Sequence, residues 1–336
     1  MIKVAINGFG RIGRNVLRAF HEHSHYSSSI QIVAINDLSP IEHAVHLLKY
    51  DSIHKIFDTN VTFKENTIHI NNHSMKYTSI KDAKLLPWAE LDVDIVFDCT
   101  GKYTTHETAS DHLIAGAKRV VVSAPCDGAD RTVVWGVNES SLVSSDKIIS
   151  NASCTTNCLA PIVALIHREF EIKNGLMTTI HSYTGDQRLV DTDHSDLYRA
   201  RAAALSMIPS KTGAAKAIGL IIPELKGKIN GLSVRVPTPN VSLVDFTCNV
   251  NKEVTAEAVN NLFKTEVEKG VFNGVLGYND EPLVSVDFNH DRHSSIYDST
   301  QTIVHDGMVK VFAWYDNEWG FSNRMLDLAI SISKLK

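Results

Sequence analysis

The chain has 336 residues, a formal net charge of −5 at pH 7 and a hydrophobic fraction of 43%. This length and composition are typical of a globular protein that forms two compact domains. There is no run of about 18 apolar residues, which excludes a membrane-spanning helix. There is also no basic run, so a nucleic acid is not expected as the main partner.

The N-terminal residues 1–8 lead directly into a strand pattern and leave no room for a signal peptide, so we expect a cytoplasmic protein. The five cysteines have no framework spacing, which favours reduced thiols over a disulfide scaffold. Cys154 and Cys158 are four residues apart, but no second Cys or His pair at zinc-site spacing accompanies them. We therefore predict no metal site.

The first elements along the chain form a βαβ pattern. Residues 2–7 have the pattern of a buried strand and are followed by a G-x-G-x-x-G turn at Gly8–Gly13. A helix pattern then covers residues 14–20, and residues 30–37 have the pattern of a second strand. This context makes the glycine motif a dinucleotide-binding signature. Gly8 and Gly10 would let the backbone approach a pyrophosphate, and Asp37 would accept hydrogen bonds from ribose hydroxyls. The alternative for Asp37 is an ordinary turn or cap acid.

Two further apolar runs, residues 94–101 and 118–125, each end in small or hydroxyl residues. Continuous apolar runs favour parallel strands, whose carboxyl ends bind ligands in open α/β sheets, so Thr100, Gly101 and Ser123 are expected near a cofactor. Residues 57–88 alternate polar and apolar and are interpreted as a small hairpin excursion. The predicted first domain is residues 1–151, with a C-terminal helix at 320–336 that packs back onto it.

The second domain, predicted as residues 152–319, has a different pattern. Alternating stretches at 175–182, 231–236, 242–250 and 309–315 indicate an antiparallel or mixed sheet, packed by helices near 155–170 and 254–269. The polar segment 186–196 is predicted to be a long ordered loop. The fold class is therefore α/β: a Rossmann-type doubly wound domain plus an α+β catalytic domain.

Cys154 stands among small hydroxyl and amide residues just before the apolar helix 159–167. A thiol in the first turn of a helix is expected to have a lowered pKa, because the N-terminal N–H groups favour the thiolate. The alternative is a small buried apolar side chain. For Cys158, one turn further along, we favour that packing role.

His181 ends a predicted strand and is a candidate base for the cysteine, although any one of the 16 histidines is more often structural. Thr184, Thr212, Gly213 and Arg235 supply hydroxyl, backbone and guanidinium groups of the kind that bind phosphate. Taken singly, these four are ordinary turn and surface residues.

Five motifs together resemble the phosphorylating glyceraldehyde-3-phosphate dehydrogenase family. They are Asn7–Gly13 (NGFGRIG), Ala152–Asn157 (ASCTTN), His181–Thr184 (HSYT), Arg199–Ala203 (RARAA) and Tyr315–Gly320 (YDNEWG). The resemblance implies that Cys154 attacks the aldehyde of glyceraldehyde 3-phosphate, that His181 acts as the base, and that NAD⁺ takes the hydride. It further implies that inorganic phosphate cleaves the resulting thioester, with the Cys154 N–H and the His181 ring as oxyanion donors.

The resemblance also implies binding roles. The substrate phosphate is assigned to Thr184 and Arg235, and the attacking phosphate to Ser153, Thr155, Arg199, Thr212 and Gly213. The predicted coenzyme-binding residues, from the sequence pattern and the resemblance together, are Asn7, Gly8, Gly10, Arg11, Ile12, Asp37, Lys81, Thr100, Ser123 and Asn317. A homotetramer is implied, in which the loop near 186–200 packs toward a neighbouring subunit.

The sequence departs from the commonest family pattern at three places. Thr192–Asp193 replace a frequent Leu-Pro, Lys81 stands where an arginine is common, and Phe321 replaces a frequent tyrosine. Asp37 repels a 2′-phosphate, so NAD remains the expected coenzyme. Parts of residues 284–325 also resemble erythrose-4-phosphate dehydrogenase, whose thioester is hydrolysed by water, and this is the alternative enzyme. A binding protein for RNA or a surface partner is the non-enzymatic alternative.

Overall fold

The computed structural model describes residues 1–270, 272 and 274–335. These residues group into two compact units. Unit 1 comprises Met1–Val133, Glu139–Ala152 and the chain from Ser322, and unit 2 comprises Val134–Asn138 and Ser153–Phe321. The segment Val134–Asn138 falls in the predicted first domain but groups with unit 2, where a Cβ added at Gly136 would lie 2.8 Å from the side chain of Val275.

Unit 1 is built on a nine-stranded sheet and a separate two-stranded ribbon. Its strands are β1 (Ile2–Asn7), β2 (Ile30–Asn36), β3 (Tyr50–Asp51), β4 (Lys55–Ile56), β5 (Val61–Lys64), β6 (Thr67–Ile70), β7 (His73–Thr78), β8 (Ile95–Asp98), β9 (Arg119–Val122), β10 (Arg131–Thr132) and β11 (Ile148–Ser150). Its helices are α1 (Arg11–Glu22), α2 (Ile41–Lys49) and α3 (His106–Ile114).

The large sheet runs in the order β10-β11-β9-β8-β1-β2-β7-β6-β5, and the first seven of these strands are parallel. The predicted parallel strands at 94–101 and 118–125 are β8 and β9, with Val96, Phe97, Val120 and Val121 fully buried. Residues 57–88, interpreted as a hairpin excursion, contain the antiparallel strands β5, β6 and β7. β7 also pairs in parallel with β2, so these strands form one edge of the large sheet. The α/β class predicted for this half is confirmed.

Unit 2 contains a seven-stranded mixed sheet in the order β13-β14-β12-β15-β18-β17-β16. Its strands are β12 (Ile172–Ser182), β13 (Ile208–Ser210), β14 (Ile229–Val236), β15 (Ser242–Val250), β16 (Leu276–Asn279), β17 (Ser295–His305) and β18 (Met308–Tyr315). Its helices are α4 (Cys154–Phe170), α5 (Ala214–Ile221) and α6 (Ala256–Lys269). The pairs β12–β14 and β16–β17 are parallel and the others antiparallel, so the predicted mixed sheet is confirmed.

The last helix, α7 (Trp319–Ser333), begins one residue before the predicted start at residue 320. From Ser322 onward it groups with unit 1, where the hydroxyl of Tyr26 donates to Asp327 at 3.0 Å. Arg324 and Asp327 form a buried ion pair one turn apart. Within the described residues, none of the helices has the length and apolar character needed to cross a membrane.

Candidate active site

In unit 1 the turn between β1 and α1 is packed so closely that two of its glycines admit no side chain. A Cβ at Gly8, whose φ is +90°, would lie 2.8 Å from Thr100, and a Cβ at Gly13 would lie 2.2 Å from the carbonyl oxygen of Gly8. Gly10, the N-cap of α1, has nothing within 4 Å of its Cβ position and no side-chain cap. The start of α1 thus combines N–H groups that lack a side-chain cap with open space beside Gly10, which fits the pyrophosphate of a dinucleotide.

Asp37 follows β2, and its carboxylate stabilises the glycine turn by accepting a backbone hydrogen bond from it. Its Oδ2 accepts from the backbone N–H of Phe9 at 2.7 Å and its Oδ1 accepts from the N–H of Ser39 at 2.9 Å. An ionised carboxylate has about four acceptor positions, so capacity remains for ribose hydroxyls. The guanidinium of Arg11, by contrast, is paired with Asp51, whose pKa is lowered by that pair and two backbone N–H groups against the opposing effect of burial.

A buried polar network lies beneath the same edge of the sheet. The Oδ2 of Asp98 accepts from Asn7 Nδ2 at 2.8 Å and lies 3.2 Å from His112 Nε2, while its Oδ1 accepts from the Thr100 hydroxyl at 2.8 Å. Trp88 Nε1 can only donate, so His112 Nδ1, 3.1 Å away, is the acceptor and Nε2 carries the proton. This chain fixes Asn7 and Thr100, and the sequence patterns did not identify Asp98 or His112.

The other predicted coenzyme residues of unit 1 also follow parallel strands. Ser123 comes directly after β9 and donates its backbone N–H to the carbonyl of Asp98 at 2.9 Å. Ile12 is half-buried in the first turn of α1, and Lys81 is exposed three residues after β7. Because the carboxyl ends of parallel strands share one edge, the sheet gathers these predicted residues at that edge.

In unit 2, Cys154 is the first residue of α4. The N-cap residue Ser153 accepts from the N–H of Thr156 at 3.0 Å, which fixes the helix start. The Sγ of Cys154 lies 3.5 Å from Nε2 of His181, which is near the end of β12. The structure thus brings together the two residues that the sequence proposed as nucleophile and base, 27 positions apart.

The contacts of His181 determine its tautomer. Its Nδ1 lies 2.7 Å from the carbonyl oxygen of Ser182, which can only accept, and this shorter contact favours a proton on Nδ1 over acceptance of a hydrogen bond from Arg235. Arg235 Nη1 lies 3.0 Å from Nδ1 and also donates to that carbonyl at 3.1 Å. The lone pair of Nε2 therefore faces the Cys154 sulfur, as a general base requires.

The protonation states differ from the expectation of a resting thiolate. Burial raises the pKa of Cys154 above its usual value, although Arg235 and the N–H groups of the helix start oppose this. Burial and the Arg235 charge lower the pKa of His181 to about 3. The predicted lowering of the Cys154 pKa is therefore wrong, because desolvation outweighs the helix start. Both directions favour a neutral thiol beside a neutral imidazole.

Arg235 is a largely buried cation beside this pair. It is the register partner of His181 across the parallel strands β12 and β14, and its Nη1 lies 3.5 Å from the hydroxyl of Thr184. Its Nε is buried without a hydrogen bond, and no carboxylate pairs with it among the described residues. A guanidinium and a hydroxyl that can each make further hydrogen bonds are suited to binding a phosphate.

The residues predicted for a second phosphate have mixed environments. Gly213 is the N-cap of α5 with open space at its Cβ position, and the Thr212 hydroxyl accepts from the N–H of Ala214 at 3.2 Å. The Thr155 hydroxyl is buried and bonded to Tyr315 at 2.9 Å. This leaves the backbone N–H of Thr155, rather than its side chain, for an anion.

Arg199 is held by acidic neighbours, unlike Arg235. It forms an ion pair with Asp186, lies 3.8 Å from Asp196, and donates its Nε to the Ser210 hydroxyl at 3.0 Å. An anion at this position would compete with Asp186 for the guanidinium. The loop that carries these residues has no helix or strand between Tyr183 and Met207, as predicted for 186–196.

Asn317, just after β18, is buried and bonded to two serines that the sequence patterns did not identify. Its Oδ1 accepts from the hydroxyl of Ser182 at 2.7 Å and from that of Ser242 at 2.9 Å. Tyr315 was also missed as a partner, and its hydroxyl lies 2.9 Å from both Thr155 and Thr179. Only the strand pairing brings these distant residues together, so no local pattern marks them.

Comparison with known proteins identifies the family of the chain. Residues 2–106 match the family model described as "Glyceraldehyde 3-phosphate dehydrogenase, NAD binding domain", and residues 153–317 match "Glyceraldehyde 3-phosphate dehydrogenase, C-terminal domain". The chain belongs to the glyceraldehyde-3-phosphate dehydrogenase family. This membership confirms the family resemblance and the prediction of NAD as the family's coenzyme.

Members of the glyceraldehyde-3-phosphate dehydrogenase family match the chain over nearly its full length. The enzyme of Cereibacter sphaeroides is 55% identical over 99% of both chains. That of Pseudomonas aeruginosa is 53% identical over 99% of this chain and 98% of its own. The Geobacillus stearothermophilus enzyme is 51% identical with the same coverage.

Proposed function

We propose that the chain is an NAD⁺-dependent enzyme that converts glyceraldehyde 3-phosphate and inorganic phosphate to 1,3-bisphosphoglycerate. The observation that carries the proposal is the contact of 3.5 Å between Cys154 Sγ and Nε2 of His181. A thiol next to a fixed base is the arrangement that covalent aldehyde oxidation requires. The family names of the relatives support the same reaction.

In the first half-reaction the sulfur of Cys154 attacks the aldehyde carbon, and the S–H proton passes through Nε2 of His181 to the former carbonyl oxygen. The product is a hemithioacetal. His181 then takes the hydroxyl proton while the carbon gives up a hydride, which leaves a thioester on Cys154. NAD⁺, when bound, supplies the hydride acceptor.

In the second half-reaction an oxygen of inorganic phosphate attacks the thioester carbonyl. The carbon–sulfur bond breaks, the acyl phosphate leaves, and the proton held by His181 returns to the sulfur. The Cys154 backbone N–H, at the start of α4, and the protonated His181 ring are oriented to stabilise the oxyanion. Neutral resting states suit these transfers, because each step moves one proton between neighbouring atoms.

Binding is divided among the predicted residues. Thr184 and the unpaired Arg235 hold the substrate phosphate, and Ser153, Thr155, Thr212, Gly213 and Arg199 surround the attacking phosphate. Residues 1–151 hold the coenzyme, with its pyrophosphate at Gly10–Ile12 and its ribose at Asp37, and Asn317 donates to the carboxamide. The remaining coenzyme contacts are those of Asn7, Gly8, Lys81, Thr100 and Ser123.

A homotetramer accounts for an apolar surface of unit 2. The loop after β12 exposes Leu189, Leu197, Leu205 and Met207, each at least 75% accessible. Several exposed apolar side chains on one loop are typical of protein interfaces. A second copy of the chain is the occupant that we propose, and sedimentation showing a monomer would contradict it. All five cysteines are free thiols, which fits a reducing cytoplasm.

The decisive experiment measures NADH formation with and without inorganic phosphate or arsenate. We expect turnover of glyceraldehyde 3-phosphate to depend on either anion. Faster turnover of erythrose 4-phosphate that needs no phosphate would favour the alternative enzyme. The variant Cys154→Ser should abolish turnover, whereas a binding protein for RNA would lack this activity in the unmodified chain as well.

A further inference from the structure

Two buried serines determine which way the amide of Asn317 faces. The side chains of Ser182 and Ser242 are almost fully buried, and each hydroxyl lies within 2.9 Å of Asn317 Oδ1. The Oγ of Ser242 also accepts the backbone N–H of Ser182 at 3.1 Å. One carboxamide, two hydroxyls and one backbone N–H thus form a closed cluster.

Counting protons in this cluster leaves one orientation for the amide. Each hydroxyl has a single proton, and the two lone pairs of Oδ1 accept both. If the amide were turned over, its N–H groups would point at the hydroxyl oxygens. At most one hydroxyl proton could then find an acceptor within the cluster. A buried hydroxyl without an acceptor is unfavourable, so the serines direct Oδ1 inward.

The same orientation presents the amide N–H groups away from the serines. Asn317 Nδ2 donates to no atom within the described part of the chain, whereas Oδ1 has two partners. An N–H donor with unused capacity suits the carbonyl oxygen of a carboxamide, and not its NH₂ group. The turn itself is anchored by Asp316, whose Oδ1 accepts from the N–H groups of Glu318 and Trp319.

The cluster also connects Asn317 to the catalytic base. Ser182 accepts the Nδ1 proton of His181 through its carbonyl oxygen and donates its hydroxyl to Asn317. A shift of Ser182 would therefore move both groups. Ser242 is on β15, and its hydroxyl bonds to Ser182 and Asn317. Among the described residues this hydroxyl has no hydrogen bond to His181.

We infer that Ser242 is a positioning residue for coenzyme binding: together with Ser182 it fixes the Asn317 amide so that its N–H faces the nicotinamide carboxamide oxygen. The inference rests on the proposed function, because it takes Asn317 as the carboxamide ligand. It adds the reason why that amide presents a donor.

The test compares the binding of NAD⁺ and of ADP-ribose, which lacks the nicotinamide, by calorimetry. For Ser242→Ala the dissociation constant of NAD⁺ should rise about three- to tenfold, the loss expected for one neutral hydrogen bond. The dissociation constant of ADP-ribose should stay unchanged. Ser242→Thr, which keeps the hydroxyl, should restore most of the NAD⁺ affinity.

The matched control is Ser233→Ala, at a buried serine of β14, the strand that pairs with β12. The hydroxyl of Ser233 has no partner within the described residues. This variant should change neither dissociation constant. If Ser242→Ala does not fold, Ser182→Ala removes the other hydroxyl donor and carries the same expectation. Thermal unfolding without ligand verifies that each variant is folded.

Equal weakening of NAD⁺ and ADP-ribose by Ser242→Ala would overturn the inference, as would no change in either. Asn317→Ala separates the possible failures. If it weakens NAD⁺ alone while Ser242→Ala has no effect, only the positioning inference fails. If Asn317→Ala leaves NAD⁺ binding unchanged, the assigned role of Asn317 and the inference both fail. Phosphate-dependent turnover of the unmodified chain tests the proposed reaction separately.

Discussion

At the scale of single residues, Arg235 offers the sharpest test of substrate binding. Arg235→Lys keeps a positive charge but removes the planar fork that lies beside Thr184. We expect kcat/KM for glyceraldehyde 3-phosphate to fall about 10- to 100-fold, since a hydrogen bond to a charged group contributes about 1.5–3 kcal/mol. The loss for unphosphorylated glyceraldehyde should be much smaller, and steady-state kinetics with both aldehydes measure the difference.

An equal loss on both aldehydes would contradict this assignment. It would show that Arg235 acts mainly through the carbonyl of Ser182, to which it also donates, and so through the orientation of His181. The control is the variant Arg201→Lys. Arg201 lies on the polar loop after β12, and its ion-pair partner, Asp191, is an exposed carboxylate.

The sequence predicted which functional side chains form the candidate site, but it did not predict the hydrogen-bond and ion-pair partners of those side chains. The thiol, the imidazole and the guanidinium were predicted from local motifs, and the structure brings Cys154, His181 and Arg235 together. The local pattern could not show that Arg11 and Arg199 are paired with carboxylates, because those partners are 40 and 13 residues away. It also gave the wrong direction for the Cys154 pKa, since burial is not visible in a motif.

At the scale of elements, the turn before α1 allows a matched pair of substitutions. Gly10→Ala adds a methyl group where nothing lies within 4 Å, at a φ of −74° that alanine tolerates. Its thermal stability should change little, whereas the dissociation constant of NAD⁺ should rise at least about tenfold, because the methyl group occupies the proposed pyrophosphate position.

Gly13→Ala should behave in the opposite way. Its Cβ would lie 2.2 Å from the backbone oxygen of Gly8, so the turn must move. Overpacking of this kind costs about 1–3 kcal/mol, which calorimetry would detect as a lower unfolding temperature. If Gly10→Ala were the more destabilising variant, or if it left NAD⁺ binding unchanged, the proposed location of the pyrophosphate would be contradicted.

Hydrophobic periodicity predicted the long elements and missed the short or polar ones. The alternating stretches became β12, β14, β15 and β18, but the parallel pairing of β12 with β14 could not be predicted because both orientations bury the same faces. β17 was missed because its second half, including Ser299–Thr302, is polar. For β7, the pattern gave the strand but not its partner β2, which is more than 30 residues away.

For the whole molecule, two histidines whose pKa values are lowered, the half-buried His21 and the buried His181, predict a loss of stability in acid. Burial and the neighbouring His73 lower the pKa of His21 to about 4, and that of His181 is about 3. Unfolding restores a value near 6.5, so below that pH the unfolded chain binds protons that the folded chain excludes. The stabilisation is complete above pH 6.5 and decreases as the pH falls toward 4.

His21→Phe isolates one of the two contributions, because a phenyl ring can retain the packing of His21 against Phe20 and Phe57. Between pH 6.5 and 4 the slope of unfolding free energy against pH should fall by up to about 1.4 kcal/mol per pH unit. Urea unfolding at one fixed protein concentration measures it, with His305→Gln at an exposed side chain as the control. An unchanged slope in His21→Phe would mean that His21 takes up its proton without unfolding.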